Sequence, residues 1–318
     1  MGRGKDMKLS IPEIEIMSPG HLACQGCGAT LAFRYAIKAL GKKTIVAIPA
    51  CCWSVIDGPF PYSSAGVPVF HTAFETAAST ASGIKAALEI KGIGDVNVLA
   101  WAGDGGTMDI GIQALSGAVE RGEDIIYVCY DNEAYMNTGI QRSSSTPQGA
   151  WTSTTPVIKY KKMPKKDMIE IMVAHGIPYT ATANIAFPED FIGKLEKAKT
   201  IKGPKFIQII SPCPVGWKFS SHLTIKIAKL AFETCIYPLY EVKDGIYKVR
   251  RPNKKKGINE YLKMQRRFSH LDNSEIDNMQ RWIDSKWQNL IEKEARSVPA
   301  EKYESPKSTK ETKTTDIV

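Results

Sequence analysis

The segment Gly103–Gly139 reads GDGGTMDIGIQALSGAVERGEDIIYVCYDNEAYMNTG and contains the clearest structural pattern in the chain. An apolar strand pattern, Val96–Trp101, leads into its glycine-rich start. The residues Met108–Arg121 follow with apolar side chains at helical spacing, and Ile125–Tyr130 is a second apolar strand pattern. The order strand, glycine-rich turn, helix, strand is typical of α/β proteins that have a parallel sheet.

The same alternation continues on both sides of this segment. Helices are predicted at Ala29–Leu40, Ala73–Ile90, Lys166–His175 and Pro188–Thr200. Strands are predicted at Thr44–Ile48, Pro178–Ala183 and Lys205–Ile210. Because these strands are almost continuously apolar and are separated by helices, we expect a doubly wound parallel sheet that helices cover on both faces.

The C-terminal part of the chain is more polar. We predict a hairpin at Val242–Val249 and helices at Asn259–Phe268 and Asn273–Ala295. The predicted organisation is therefore an N-terminal arm (1–20), a main domain with the candidate sites (21–235), a hairpin and polar helical extension (236–297) and a mobile tail (298–318).

Composition limits the class of protein. The chain has 318 residues, of which 43% are hydrophobic and 24% charged, and these values are typical of a folded globular protein. Neither an apolar run of about 18 residues nor a secretory signal pattern is found, so we expect a cytoplasmic protein with reduced thiols and no membrane contact. The net charge of +9 fits a solvated basic surface or an acidic partner. No recognition motif accompanies that charge, so no nucleic-acid partner is expected.

The glycine-rich turn predicts an anion site. Gly105 and Gly106 allow backbone N–H groups to approach a ligand, and a helix begins there, as in diphosphate sites. Asp104 follows one strand, and Asn132 lies 28 positions later at the end of the next. Adjacent parallel strands would bring these two side chains together, and their oxygens suit Mg²⁺. The alternative is a plain tight turn; the G-x-G-x-x-G pattern of dinucleotide sites is absent.

Five of the seven cysteines occur in suggestive positions. Cys24 and Cys27 form a C-x-x-C pair that could be a redox dithiol, half of a zinc site or a chance occurrence. The only other close pair is Cys51-Cys52, and neighbouring thiolates converge poorly on one zinc ion. Four thiolates are also what a [4Fe–4S] cluster needs, and Cys52 and Cys213 both follow predicted strands. Cys213 precedes a proline, as ligand cysteines of ferredoxins often do.

Other polar residues and cysteines receive structural interpretations. Cys129 on a strand and Cys235 on a helix are expected to be small core residues. His71 and Glu75 could face a pocket, or could be a hydrogen-bonded structural histidine and a glutamate at the start of a helix. A lysine cluster is interpreted as a solvated face, with docking to an acidic partner as the alternative; it consists of Lys159, Lys161, Lys162, Lys165 and Lys166.

Two motifs resemble those of known enzymes. The Gly103–Asn132 pattern is similar to the diphosphate-binding motif of thiamine-diphosphate enzymes. More closely, DNEAYMNTGIQRSSSTP, Asp131–Pro147, resembles the β subunit of pyruvate:ferredoxin oxidoreductases and related 2-oxoacid:ferredoxin oxidoreductases. The resemblance extends from about His21 to Arg267 and implies a thiamine-diphosphate-binding fold for the main domain.

The resemblance also implies site residues. Mg²⁺ would be held by the side chains of Asp104 and Asn132 and by the Ala134 carbonyl. Thiamine diphosphate would contact Asn137, to which we also give a catalytic role, and the following residues: Ala50, Cys51, Cys52, Trp53, Gly103, Asp104, Gly105, Gly106, Asn132 and Ala134. One [4Fe–4S] cluster would be held by Cys24, Cys27, Cys52 and Cys213. The family usually has glycine where this chain has Cys51, so Cys52 is the preferred ligand and Cys51 a substitute.

The implied function is that of a subunit. With alpha-, gamma- and delta-type subunits or fused equivalents, it would convert a 2-oxoacid and coenzyme A reversibly to acyl-CoA, CO₂ and reduced ferredoxin. A partner would supply the glutamate that activates the cofactor. Pyruvate is the first choice of substrate, with branched-chain, aryl, 2-oxoglutarate and oxalate substrates open. The alternatives are a thiamine-dependent decarboxylase without electron transfer and, more remotely, a zinc-stabilised basic binding module.

Overall fold

A computed structural model describes residues 10–297. Its centre is an eight-stranded sheet in the order β2-β1-β3-β4-β6-β5-β7-β8. The strands are β1 Thr44–Pro49, β2 Val69–Thr72, β3 Asn97–Gly103, β4 Ile126–Asp131, β5 Tyr179–Asn184, β6 Lys205–Ile210, β7 Leu239–Lys243 and β8 Ile246–Arg250. Strands β1 to β6 pair in parallel, and the hairpin β7–β8 joins β5 in antiparallel orientation. The predicted tail at 298–318 lies outside the described residues.

Ten α-helices are found in the described part of the chain. They are α1 Gly28–Leu40, α2 Trp53–Ile56, α3 Ala77–Ile90, α4 Ile112–Glu120, α5 Met168–Ala174, α6 Pro188–Thr200, α7 Pro214–Trp217, α8 Thr224–Glu233, α9 Ile258–Leu262 and α10 Asn273–Arg296. Within residues 10–297, none of these helices is both long and apolar enough to cross a bilayer.

Helices cover both faces of the sheet, which confirms the predicted doubly wound α/β class. Along β3, the side chains of Leu99 and Trp101 pack on the face that α1 and α6 cover. The intervening Val98 and Ala100 pack on the opposite face, against α3, α4 and α5. This alternation with a period of two residues buries β3 on both sides, which explains why its sequence is apolar throughout.

The elements around the sheet differ from prediction in several places. The edge strand β2 and the helices α2 and α7 were not predicted, because each spans only four residues. The bounds of α8 were not predicted either, although a helix was expected at Cys235. A π-helical turn at Gly106–Ile110 separates the glycine-rich segment from α4, where the apolar spacing suggests one helix. The prediction that Cys235 lies on a helix is wrong. This residue follows α8 in a turn with a φ of +59° and is buried there.

Candidate functional site

The candidate site lies at the carboxyl ends of β3 and β4. These strands pair in parallel, with Gly103 opposite Tyr130, so the residues that follow them emerge at the same edge of the sheet. Asp104 comes directly after β3 and Asn132 directly after β4. Both side chains are buried, with 1% and 5% exposure. The predicted meeting of these two residues at one edge is therefore present in the structure.

Three oxygen atoms converge at this edge. The side-chain oxygen of Asn132 lies 2.8 Å from the Ala134 carbonyl oxygen and 2.9 Å from Asp104 Oδ1. Oxygens that bind one Mg²⁺ at 2.0–2.1 Å in octahedral geometry are about 2.9 Å apart along an octahedron edge. The donor set thus fits Mg²⁺. Hydrogen bonding within the protein alone favours the opposite amide orientation, in which the Asn132 nitrogen donates to both neighbours, so the orientation with the oxygen toward the site is the one that a bound cation would select.

The acidity of Asp104 depends on its surroundings. Burial and the neighbouring Asp131 raise the pKa of the Asp104 carboxyl well above its usual value, although the Ser143 hydroxyl donates a hydrogen bond to it. A buried carboxylate of this kind is stabilised by a bound cation. Ser143 contacts Oδ2 of Asp104, and Oδ1 faces Asn132.

A cavity of about 290 Å³ opens beside these oxygens. Of the predicted cofactor-binding residues, the cavity wall includes Ala50, Cys51, Cys52, Gly103, Asp104, Gly105, Gly106, Asn132, Ala134 and Asn137. Trp53 differs, because its side chain is fully buried with its ring centroid 4.0 Å from that of Phe33 in the core. The wall also contains residues that the sequence analysis did not single out: Ser54, Phe74, Tyr130, Tyr135, Met136 and Thr138.

Glycine is required at Gly105 by close packing. A Cβ atom at this position would lie 2.2 Å from Cε1 of Tyr135, far inside van der Waals contact. The Tyr135 hydroxyl donates a 2.6 Å hydrogen bond to Asp109 Oδ2, which fixes the ring against the glycine. The glycine-rich segment, which we call the cradle, therefore packs closely against Tyr135 and leaves no room for a side chain at Gly105.

Three consecutive serines brace the site. Ser143 donates to Asp104, Ser144 to Asp109 and Ser145 to Asp131. The SSS run at these positions was part of the segment that carries the family resemblance, but its role was not predicted. The contacts explain why the long segment after β4 is ordered although it lacks regular structure.

A second cavity, of about 260 Å³, is lined by Cys24, Cys27, Cys52 and Cys213. All four thiols are free. Within residues 10–297, no group of three or more His, Cys, Asp or Glu side chains is placed so that it could hold a metal ion. Cys51 lines the other cavity, beside Tyr130, rather than this one. Cys52, the preferred ligand in the prediction, is thus the one of the two that lines the same cavity as Cys24, Cys27 and Cys213.

Two of the thiols that line the second cavity, those of Cys52 and Cys213, have raised pKa values. Burial, with the neighbouring Cys27 and Cys24, raises the pKa of Cys213 to about 11, and burial and adjacent thiols raise the pKa of Cys52. Thiolates at these positions would therefore need the positive charge of bound metal. Four cysteine thiolates are the ligands that a [4Fe–4S] cluster takes, so the residue types that line this cavity match that group.

The two cavities adjoin each other. Both are lined by Cys52, Asn132, Met136 and Asn137. Asn137, the predicted catalytic residue, therefore stands between the cavity of the oxygens and the cavity of the thiols. Groups bound in the two cavities would be near neighbours.

The interpretation of the lysine cluster as a solvated face is wrong for three of its members. Lys161 is buried, Lys165 pairs with Asp131 and Glu133, and Lys166 donates to the Met108 carbonyl. They turn inward because the segment after β4 places buried carboxylates and carbonyls beside them. Lys159 and Lys162 are exposed, as expected.

His71 is placed in a structural contact. It lies on β2, and its Nε2 atom is 3.1 Å from Asp57 Oδ2. Neither His71 nor Glu75 is part of the wall of the two cavities.

Comparison with known proteins gives consistent matches. Residues 57–209 match the family model for the C-terminal TPP-binding domain of thiamine pyrophosphate enzymes. The chain is 53% identical over 294 residues to ketoisovalerate oxidoreductase subunit VorB of Pyrococcus furiosus, covering 89% of this chain and 94% of that protein. It is 51% identical over 286 residues to pyruvate synthase subunit PorB of Methanothermobacter marburgensis, covering 89% and 99%.

A solved structure supports the fold. The 2-oxoglutarate:ferredoxin oxidoreductase from Magnetococcus marinus superposes with a TM-score of 0.55 at 21% identity, covering 71% of this chain and 82% of that one. At this identity the likeness supports the fold alone.

Proposed function

Because this chain belongs to the β subunits of the 2-oxoacid:ferredoxin oxidoreductases, we propose that it binds thiamine diphosphate with Mg²⁺ and one [4Fe–4S] cluster. The observation that carries the proposal is the pair of adjoining cavities, one lined by converging oxygens and the other by four thiols. When bound, thiamine diphosphate supplies the nucleophilic carbon and electron sink for 2-oxoacid decarboxylation, and the cluster accepts single electrons.

Each part of the chain has a distinct role in this proposal. Asp104, Asn132 and the Ala134 carbonyl would hold Mg²⁺, and the Gly103–Gly106 backbone would bind the diphosphate. Asn137 lines both cavities, and its side-chain amide would orient the reacting groups. The apolar walls of the cofactor cavity, among them Phe74 and Met136, would exclude water from the reaction.

Partner subunits complete the enzyme in this proposal. The overall reaction joins the acyl group of the 2-oxoacid to coenzyme A and releases CO₂, while ferredoxin receives two electrons one at a time. Alpha-, gamma- and delta-type subunits or fused equivalents would supply the substrate pocket, the activating glutamate and a ferredoxin-like relay. We place the complex in the cytoplasm, where its thiols stay reduced.

Two substrates are favoured. Pyruvate is the first candidate, since PorB relatives are named pyruvate synthase subunits. The second candidate is 2-oxoisovalerate, because a VorB relative, named for ketoisovalerate, is 53% identical to this chain against 51% for the PorB relative. Discrimination between them depends on pocket volume, which partner subunits would largely define.

A substrate assay tests the proposed reaction. The complex is purified anaerobically from its source, and reduction of a viologen is measured with coenzyme A and each of several 2-oxoacids. We expect the highest kcat/KM with pyruvate or 2-oxoisovalerate and no reduction without coenzyme A. A colourless, iron-free complex would instead favour the decarboxylase or zinc alternatives, and reduction by no 2-oxoacid would refute the proposed activity.

The magnesium ligands are tested separately. Asp104→Asn keeps the size of the side chain and removes its charge. We expect it to weaken Mg²⁺-dependent binding of thiamine diphosphate by at least a hundredfold, about 2.7 kcal/mol, with unchanged iron content. Binding at wild-type affinity would show that Asp104 is not a ligand.

A further inference from the structure

The turn that links Asn132 to Ala134 has a strained backbone. Its middle residue, Glu133, has a φ of +68°, in the left-handed region that non-glycine residues rarely adopt. The Glu133 carboxylate is also buried, with 4% of the residue exposed. Such a conformation persists only where surrounding contacts hold it, and these outliers often mark functional sites.

Two cations hold the Glu133 side chain. Lys165 Nζ donates to Oε1 at 2.9 Å, and Arg267 Nη2 donates to Oε2 at 2.6 Å. Arg267 comes from the C-terminal extension, far along the chain, and is 2% exposed. A buried charge is costly unless it is paired, so these contacts also keep Glu133 inside.

The backbone of the same turn is held from two other elements. Trp217 Nε1 donates to the Asn132 carbonyl at 2.7 Å, and Thr146 Oγ1 donates to the Glu133 carbonyl at 2.7 Å. With these two carbonyls engaged, the Ala134 carbonyl is left facing the Asn132 amide, which also lies beside Asp104.

Arg267 connects the two sets of contacts. Its guanidinium carbon lies 3.8 Å from the centroid of the Trp217 ring, a cation–π contact, while its Nη2 atom binds Glu133. Its Nε atom donates to Gln265 Oε1 at 2.9 Å, which fixes the orientation of the guanidinium plane. We call Glu133, Lys165, Trp217 and Arg267 the turn clamp.

We propose that the turn clamp positions Asn132 and Ala134 for the cation, so that the C-terminal extension sets the metal affinity of the cofactor site. This inference rests on the magnesium site of the proposed function. Without Arg267, the turn could relax from the left-handed conformation, and relaxation would rotate the Ala134 carbonyl away from Asp104. The members of the clamp are positioning residues, because none of them contacts the three converging oxygens through its own side chain.

The test measures metal binding rather than turnover. The assembled oxidoreductase is purified anaerobically and freed of cofactor and divalent metal with a chelator. Binding of Mn²⁺ in the presence of thiamine diphosphate is then followed by the EPR signal of free Mn²⁺. We expect Arg267→Met and Glu133→Gln each to weaken Mn²⁺ binding at least tenfold, with assembly and iron content unchanged.

Two further variants separate positioning from general stability. Arg251→Met is the matched control, because it breaks another Arg–Glu pair of the C-terminal extension, Arg251–Glu294 at 2.6 Å, and should leave Mn²⁺ affinity unchanged. Trp217→Phe keeps an aromatic ring for Arg267 but removes the hydrogen bond to Asn132, so it should weaken Mn²⁺ binding severalfold. If the Arg267→Met variant fails to assemble, the Mn²⁺ affinity of Trp217→Phe tests the turn clamp instead.

The outcomes are distinct. Mn²⁺ affinity within twofold of the wild type in assembled Arg267→Met, or in Trp217→Phe where Arg267→Met does not assemble, would overturn the clamp. An equal loss of Mn²⁺ affinity in the Arg251→Met control would also overturn the clamp, since breaking any Arg–Glu pair of the C-terminal extension would then have the same effect. Failure of the wild-type enzyme to bind Mn²⁺ with thiamine diphosphate would overturn the magnesium site itself, and the clamp with it.

Discussion

At the scale of single residues, the site depends on small groups that keep space open or direct an oxygen. One carboxylate oxygen of Asp104, Oδ2, accepts a hydrogen bond from Ser143, and the other, Oδ1, faces the Asn132 side chain. Gly105 lacks the Cβ atom that would collide with Tyr135. These positions tolerate little change, because the atoms around them are buried and hydrogen-bonded.

Substitution of Gly105 tests the cradle. Gly105→Ala places a methyl group where Tyr135 packs, so the ring, which lines the cofactor cavity, must shift. We expect thiamine diphosphate affinity to fall at least tenfold, about 1.4 kcal/mol, as measured by titration of the cofactor-free complex. Gly94→Ala is the matched control, since a Cβ there would meet no atom within 4 Å. Equal thiamine diphosphate affinities of the two variants would contradict the requirement for glycine at Gly105 in the cradle.

At the scale of elements, the segment between β4 and α5 was the hardest to predict. Its polar sequence indicated function but not conformation. Lys161 shows why: its ammonium is buried and donates to the carbonyls of Ser144 and Thr146. A contact between a lysine and backbone carbonyls leaves no periodic signal in the sequence.

The pH dependence of stability tests the burial of Lys161. Burial, with Arg142 and Lys165 nearby, lowers the pKa of Lys161 to about 8, below its unfolded value near 10.5. Between these values the unfolded chain binds more protons than the folded one, so this group makes stability rise with pH in that window. We expect the unfolding free energy of the wild type relative to Lys161→Met to increase by roughly 2–3 kcal/mol from pH 8 to 10.5. A constant difference across the window would contradict the burial.

Regular elements were predicted well where burial imposes a period. The helix Pro188–Thr200 and the strand Lys205–Ile210 have the predicted bounds, because proline begins the first and apolar residues fill the second. The meeting of Asp104 with Asn132 followed from the parallel order of strands. The contacts that Trp217 and Arg267 make with the Asn132–Ala134 turn could not be predicted in this way, because they join segments that are distant in the sequence.

At the scale of the whole molecule, the sheet brings distant parts of the chain to one edge. Cys24 precedes α1, Cys52 follows β1 and Cys213 follows β6, yet all line one cavity beside the converging oxygens. Arg267, which follows α9 in the C-terminal extension, reaches the same edge through its contact with Glu133. The architecture thus gathers two kinds of donor atoms that the sequence keeps apart.

Removal of one thiol tests whether the two cavities bind separate groups. We expect Cys213→Ala to lose the cluster of this subunit and the electron transfer that depends on it. Thiamine diphosphate affinity should stay within about threefold, since Cys213 does not line the cofactor cavity. Cys235→Ala is the control, because that thiol lies in the core away from both cavities. Full iron content in Cys213→Ala, measured against the control, would contradict its ligand role.

The proposed magnesium site and the proposed cluster would lie side by side in this chain, and spin coupling between the two metal centres tests their proximity directly. Mn²⁺ is placed at the magnesium site of the assembled enzyme with thiamine diphosphate, and its EPR spectrum is recorded before and after reduction of the clusters. We predict that reduction broadens the Mn²⁺ signal in the wild type and does so far less in Cys213→Ala. An Mn²⁺ signal that reduction leaves unchanged in the wild type would contradict the account.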